Sequence, residues 1–333
     1  MRGLVGSYTK DQGQGIYTFE LSNQAIHDVR AVAQTPDATY LAVHGDYVYA
    51  VKRDKEYAGI RTFKIKNDAA FELEQVGDLD NKSDSGCYVA VVSDGKYVID
   101  AAYGSGEIRL YKIENNIVTG VLDTYQIEGS GPHERQDSAH AHFIDETPDG
   151  YVVAVDLGAD KVVTLKIEDE KLVLVHELEV KAGSGPRHLR FSPCERYAYI
   201  FTELSNEIFV AEYADGVFKV IETYSTLPED FDGHSQGAAV RLHDGYLYAS
   251  NRGHNSVAVF KLVDGGARLE LLQIEGTRGD WPRDFNITDD GKSLVVAHER
   301  SHELALFEIE EDGRLKFLNN NNQAPEGVFI TFL

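Results

Sequence analysis

Six stretches of the chain repeat one pattern of apolar and polar positions. They start at Tyr47, Tyr97, Tyr151, Tyr197, Tyr246 and Ser293, and read YVYAVKRDKEYAGIRTFKI, YVIDAAYGSGEIRLYKI, YVVAVDLGADKVVTLKI, YAYIFTELSNEIFVAEY, YLYASNRGHNSVAVFKL and SLVVAHERSHELALFEI. Each is a β-rich apolar run, a polar turn and a second alternating run, which predicts two antiparallel strands. Turn signals stand just upstream of most of them: Gly45-Asp46, Asp94-Gly95, Pro148-Asp149-Gly150, Asp244-Gly245 and Asp290-Gly291. Another short strand precedes each turn, such as Cys87–Val92 or His188–Phe191. A fourth, more polar strand follows each unit, such as Leu172–Leu178 or Leu269–Ile274.

Four strands recurring every 46 to 54 residues predict the blades of a β-propeller. The two ends supply the pieces of one more unit. LVGSYTKDQGQGIYTFEL reads as its middle strands, and GVFITFL, after Ala324-Pro325-Glu326, reads as an orphan first strand. Pairing them completes a seventh blade and removes the exposed sheet edges of an open array. The expected fold is therefore all-β: a single domain over residues 1–333, a seven-bladed β-propeller of four-stranded antiparallel blades.

Composition narrows the partners. A hydrophobic fraction of 42% supplies a large core, and a net charge of −23 offers no basic face for nucleic acid or an acidic membrane. Two cysteines, Cys87 and Cys194, are too few for a disulfide framework. No apolar run approaches the roughly 20 residues of a membrane helix, and Met1–Ser7 lacks the apolar core of a signal peptide. A cytoplasmic address follows as the expectation. Asn286-Ile287-Thr288 then reads as a chance glycosylation sequon.

Two positions of the repeat carry the candidate chemistry. Six residues before the proline (or its equivalent) of the first turn stand Cys87, His142, Arg187, Gly237 and Arg283. Six residues after the start of the second strand stand Arg53, Tyr103, Leu157, Glu203, Arg252 and Glu299. Equivalent positions on successive blades face the same end of a propeller axis, so His142, Arg187, Glu203, Arg252 and Arg283 are expected to converge. A wet channel lined by polar groups would account for part of this. Clustered arginines, however, repel one another unless an anion or carboxylates offset them, and a small anionic ligand is the natural use.

The segment GSGPRHLRFSPCERYAYIFTEL resembles the GPRH signature of the lactonase seven-bladed propeller family, which includes propeller-type 6-phosphogluconolactonases and fungal carboxymuconate cycloisomerases. SAHAHFIDETPDGYVVAVDLGADKV, LPEDFDG, YLYASNRGHNSVAVFKL and WPRDFNITDDGKSL extend the likeness over essentially the whole chain. The resemblance implies a catalytic set of His142, Arg187, Glu203 and Arg252, with Arg283 and His140 as substrate-binding candidates. Thr202-Glu203-Leu204 keeps the family carboxylate, while Asp284 places an unexpected acid beside Arg283. His140 and His142 alternate on the expected strand; the six-residue spacing to Pro148 favours His142 as the family histidine. The implied reaction is hydrolysis of a sugar lactone, most specifically 6-phosphogluconolactone, with His142 or Glu203 as the base and arginines for the oxyanion and carboxylate. Another lactonase or a carboxymuconate-type cycloisomerase, and a non-catalytic binding platform, are the alternatives.

Other motifs fit structural roles better. His298-Glu299-Arg300-Ser301-His302 matches the HExxH zinc pattern, which works only on a helix, whereas here it falls on a strand and turn. His140 and His142, with His133 upstream, suggest a metal site without an evident third ligand; no metal or cofactor is expected. Asp78, Asp80 and Asp84 mimic a calcium loop without its central glycine and read as a solvated loop. His188, next to Arg187, is expected to point away from the site, and Cys87 to be a small wall residue.

Overall fold

The apolar runs that start the repeats become strands covered on both faces: Tyr97–Ala102 and Val152–Asp156 are buried at every residue, and Ser293–His298 at all but the first. The fourth strands alternate between cover and solvent, as Val217–Ser225 does, which is why they read as polar in the sequence. In this computed structural model, which describes residues 1–54, 57–66, 71–81 and 84–333, the strands assemble into seven four-stranded antiparallel sheets. The fold class is the seven-bladed β-propeller.

The chain divides into two compact units. One comprises Val32–Pro186 and Asp215–Val217. Its three sheets run in simple sequence order, from Leu41–His44 to Glu72–Asn81, from Gly86–Val92 to Ile117–Gln126, and from Ala141–Glu146 to Lys171–Glu179. A buried pair braces the middle sheet: Arg109 donates to both oxygens of Asp100, at 2.8 and 2.6 Å, and Tyr111 Oη adds a third bond at 3.1 Å. Asp78 and Asp80 lie on the strand Glu72–Asn81, not in a loop as expected. Their carboxylates pair with Lys52, and Asp78 also with Arg61 at 2.8 Å, so they neutralise cations of their own sheet.

The other unit comprises Met1–Ala31, Arg187–Ala214 and Phe218–Leu333. It holds the sheets that begin at Pro186, Gln236 and Pro282, and the sheet built from both ends of the chain. In that last sheet Gly327–Phe332 pairs with Arg2–Ser7, Gly3 opposite Phe332 and Val5 opposite Ile330. Ile330 sits in a core with Val5, Phe19, Val295 and Leu306. Its backbone N–H donates to Asp284 Oδ2 at 3.1 Å, and its carbonyl accepts from Asn286 Nδ2 at 3.2 Å. Asp284 also accepts from Arg241 Nη2 at 2.8 Å. The acid next to Arg283 thus anchors the closing strand and is committed elsewhere than to Arg283.

The first strands share an irregularity that positions side chains. Pairing skips at Cys87, at His142 and at Arg283, each the second residue of its strand, and between Gly237 and Val240 in a fourth sheet. These are β-bulges, which twist a strand locally and re-aim the extra residue. The first candidate position of the repeat is the bulged residue in these three sheets.

Candidate active site

Arg187, the second residue of the strand Pro186–Phe191, and Glu203, just after Tyr197–Thr202, meet inside the larger unit. Arg187 Nε donates to Glu203 Oε2 at 2.9 Å, and Arg252 Nη2, from the end of Tyr246–Arg252, reaches the same oxygen at 2.7 Å. All three are about 3% exposed. Each guanidinium is also held by a backbone carbonyl: Arg187 Nη1 by Ala238 O and Arg252 Nη2 by Gly237 O, both at 2.7 Å. Gly237 occupies the position filled by cysteine, histidine or arginine in other repeats. A Cβ there would stand 2.2 Å from Thr202 O and 2.8 Å from the Phe201 ring, so only glycine lets this backbone come close enough to receive Arg252.

Charge fixes what this cluster can do. Two guanidiniums around one carboxylate leave a net +1 out of solvent, which suits one developing or completed negative charge on a ligand. Burial pushes the Arg252 guanidinium down from its ordinary value and the neighbouring Arg283 charge adds to that, while Glu203 pulls it back. His188 also meets the cluster. Its Nε2 lies 3.1 Å from Arg187 Nη1, so the imidazole accepts from the guanidinium and helps to orient it.

A shallower layer surrounds these residues. Arg283 Nη1 donates to Glu299 Oε2 at 3.3 Å, and Lys10 Nζ lies 4.0 Å from Glu299 Oε1. Lys10 and Arg283 both stand over the Tyr8 ring, 3.4 and 5.3 Å from its centre. Trp281 presents its ring to Arg252 at 5.6 Å and to Arg300 at 3.4 Å, and His234 stacks near-parallel at 6.4 Å. Its φ of 67° is a left-handed conformation that a bulky residue rarely adopts. Asn255 Oδ1 accepts the Trp281 N–H at 3.0 Å and Glu299 N–H donates to Trp281 O at 3.0 Å, which holds the turn in place. Neither Trp281 nor Tyr8 and Lys10 carried a signal in the repeat alignment.

His142 and His140 belong to the smaller unit. His142 is buried on its bulge, its ring edge-on to Tyr103 at 5.9 Å, and Cys87 Sγ lies 3.6 Å from its carbonyl oxygen. His140 lies just ahead of the strand Ala141–Glu146, not in alternation along it. It stacks flat on Tyr103 at 4.5 Å, with Nδ1 2.8 Å from Tyr103 O and Nε2 3.0 Å from Asp137 Oδ1. Both ring nitrogens are engaged, and His140 supports Tyr103. Among the described residues, no three His, Cys, Asp or Glu side chains are placed to share a metal ion. The HExxH residues occupy a strand end and the following turn, and His302 Nδ1 accepts from Glu326 N–H at 3.0 Å.

Seven four-stranded antiparallel sheets, with a buried arginine–carboxylate cluster at Arg187, Glu203 and Arg252, define a seven-bladed β-propeller. The chain belongs to the family described as Lactonase, 7-bladed beta-propeller, whose sequence model matches residues 2–332. It is 42% identical to an uncharacterised protein of Staphylococcus epidermidis, with 98% of each chain covered. Among solved structures it resembles the periplasmic gluconolactonase of Pseudomonas aeruginosa, at 25% identity and a TM-score of 0.94, covering 100% of this chain and 98% of that one. It also resembles a candidate 6-phosphogluconolactonase of Bacteroides fragilis, at 28% identity and a TM-score of 0.90, covering 100% and 97%.

Proposed function

We propose that this protein hydrolyses a sugar lactone, with 6-phosphoglucono-1,5-lactone as its specific substrate. The observation that carries the reading is the shared oxygen of Glu203 between Arg187 and Arg252. Attack of water on the lactone carbonyl makes a tetrahedral oxyanion, and ring opening leaves a carboxylate. Both intermediate and product carry one negative charge at the reacting carbon, matching the net +1 of the cluster. Glu203 holds the two guanidiniums in a fixed geometry, so little reorganisation is needed as the charge develops. His142 or Glu203 is the base that takes the proton of the attacking water. Arg283 and Lys10 are the cations available for the phosphate. The names of the Pseudomonas and Bacteroides proteins support the lactone class.

A cytoplasmic address is part of the proposal, and two cysteines that form no disulfide, Cys87 and Cys194, fit a reducing compartment. Among the described residues no helix is long and apolar enough to cross a membrane. The partner proposed is a small anionic sugar lactone, without nucleic acid or membrane. The test is turnover of glucono-1,5-lactone and its 6-phosphate, each corrected for spontaneous hydrolysis measured in parallel. Rates at background on both lactones would refute the reading and favour a cycloisomerase or a binding platform.

A further inference from the structure

We propose that Glu299 is the specificity residue of this site, because its carboxylate occupies, on Arg283 and Lys10, the place that a distal anionic group of the substrate would take. The inference rests on the lactonase reading and deepens it.

The arrangement is that of an anion subsite filled by a resident carboxylate. Oε2 of Glu299 accepts from Arg283 Nη1 at 3.3 Å, and Oε1 lies 4.0 Å from Lys10 Nζ. Exposure grades outward from the buried cluster, from about 20% for the side chains of Arg283 and Glu299 to 58% for Lys10, so the group faces the solvent side. It is also electrically continuous with the cluster: Arg283 and Glu299 act on the Arg252 guanidinium in opposite directions.

The group is built into the fold. Glu299 is fixed through its backbone bond to Trp281 O. The loop that carries Tyr8 and Lys10 is tied to Glu326, whose carbonyl accepts from Tyr8 N–H at 3.1 Å and whose Oε2 accepts from Asp11 N–H at 3.1 Å and Gly13 N–H at 2.8 Å. A Cβ on Gly13 would stand 1.8 Å from Tyr8 O, so this tight loop requires glycine there.

The consequence for selectivity is electrostatic. A phosphate dianion needs cations with unengaged donors, and here it must displace a carboxylate from both and tolerate it nearby. A neutral hydroxymethyl group meets no such conflict and can hydrogen-bond to Glu299 itself. The wild-type site therefore prefers the phosphorylated lactone by less than Arg283 and Lys10 alone would allow, and Glu299 sets that margin.

The experiment compares wild type, Glu299→Gln and the double variant Glu299→Gln/Arg283→Ala. The first reading is the ratio of kcat/KM for 6-phosphogluconolactone to that for gluconolactone. The second, independent of turnover, is calorimetric binding of the products 6-phosphogluconate and gluconate. Glu299→Gln is expected to raise both ratios about tenfold in favour of the phosphorylated compound, in line with one partly screened charge, and the added Arg283→Ala to abolish the gain. Calorimetric ratios that stay level or fall overturn the proposal, whatever the turnover. A calorimetric gain in a protein that hydrolyses neither lactone would retain the subsite and refute the lactonase reading. Efficient hydrolysis with unmoved ratios would retain the reading and refute the subsite.

Discussion

Arg252 Nη2 lies 2.7 Å from Oε2 of Glu203, the same oxygen that Arg187 Nε reaches at 2.9 Å. Removing the carboxylate would leave two buried guanidiniums facing each other. Breaking a buried pair by losing one partner typically costs about 3–5 kcal/mol. Glu203→Gln is expected to lose at least a hundredfold in lactone turnover and to lower Tm markedly. Arg252→Lys keeps the charge but not the rigid planar guanidinium whose Nη2 reaches both Glu203 Oε2 and Gly237 O, and is expected to lose turnover with a smaller fall in Tm. Steady-state kinetics and thermal unfolding on both variants check this.

Trp281 is held at a left-handed φ between Arg252 and Arg300. A cation–π contact contributes about 0.5–2 kcal/mol, more when desolvated. Trp281→Leu is therefore expected to lower kcat/KM by roughly threefold to thirtyfold, and Trp281→Phe by less. An unchanged kcat/KM in Trp281→Leu would remove the ring from the orientation of Arg252.

The terminal sheet gives a stability prediction. Deleting Gly327–Leu333 removes the partner strand of Arg2–Ser7 and leaves the Asp284–Arg241 pair without the Ile330 N–H. The loss is expected to rival the whole stability of a typical domain, about 5–15 kcal/mol, so the truncated chain should show no cooperative unfolding transition. The milder Ile330→Ala, at a fully buried position, is expected to cost about 2–5 kcal/mol in denaturant titration.

His298 predicts a pH dependence. Its ring is fully buried, Nδ1–H donates to Glu303 O at 3.1 Å, and burial holds its pKa below the ordinary 6.5. The unfolded chain then takes up a proton before the native one does. The stability from neutral His298 is present above about pH 6.5 and is lost as pH falls through the depressed native value. Tm should fall between about pH 7 and pH 5, and His298→Asn should flatten part of that slope. Parallel slopes in the two proteins would refute the assignment.

The sheets were legible because a strand covered on both faces leaves an uninterrupted apolar run, and because the turns between strands are marked by aspartate and glycine. Counting along the repeat brought Arg187, Glu203 and Arg252 forward together with His142 and Arg283, and the family resemblance alone gave them roles. What could not be read was the bulge. One extra residue in a strand changes no alternation that the eye can follow, yet it aims Arg283 at Glu299 while Asp284 bonds Arg241 and Ile330. The contact of His188 with the cluster is not legible either, because side chains on neighbouring strand positions point apart, while a long arginine can still bring its guanidinium to the next residue's ring. Tyr8, Lys10 and Trp281 come from loops, whose positions follow from tertiary bonds to Glu326 and Asn255 and not from periodicity.

Trp281 is also the single tryptophan of the chain. Its indole therefore supplies essentially all the emission excited near 295 nm, and that emission arises beside Arg252 with charged Arg300 against the ring. Any ligand that alters the water or charge around this ring should change the intensity or wavelength of the signal. The protein thus contains its own optical probe, placed at the site and needing no label, so that occupancy can be followed by titration or stopped flow even for compounds that are never turned over.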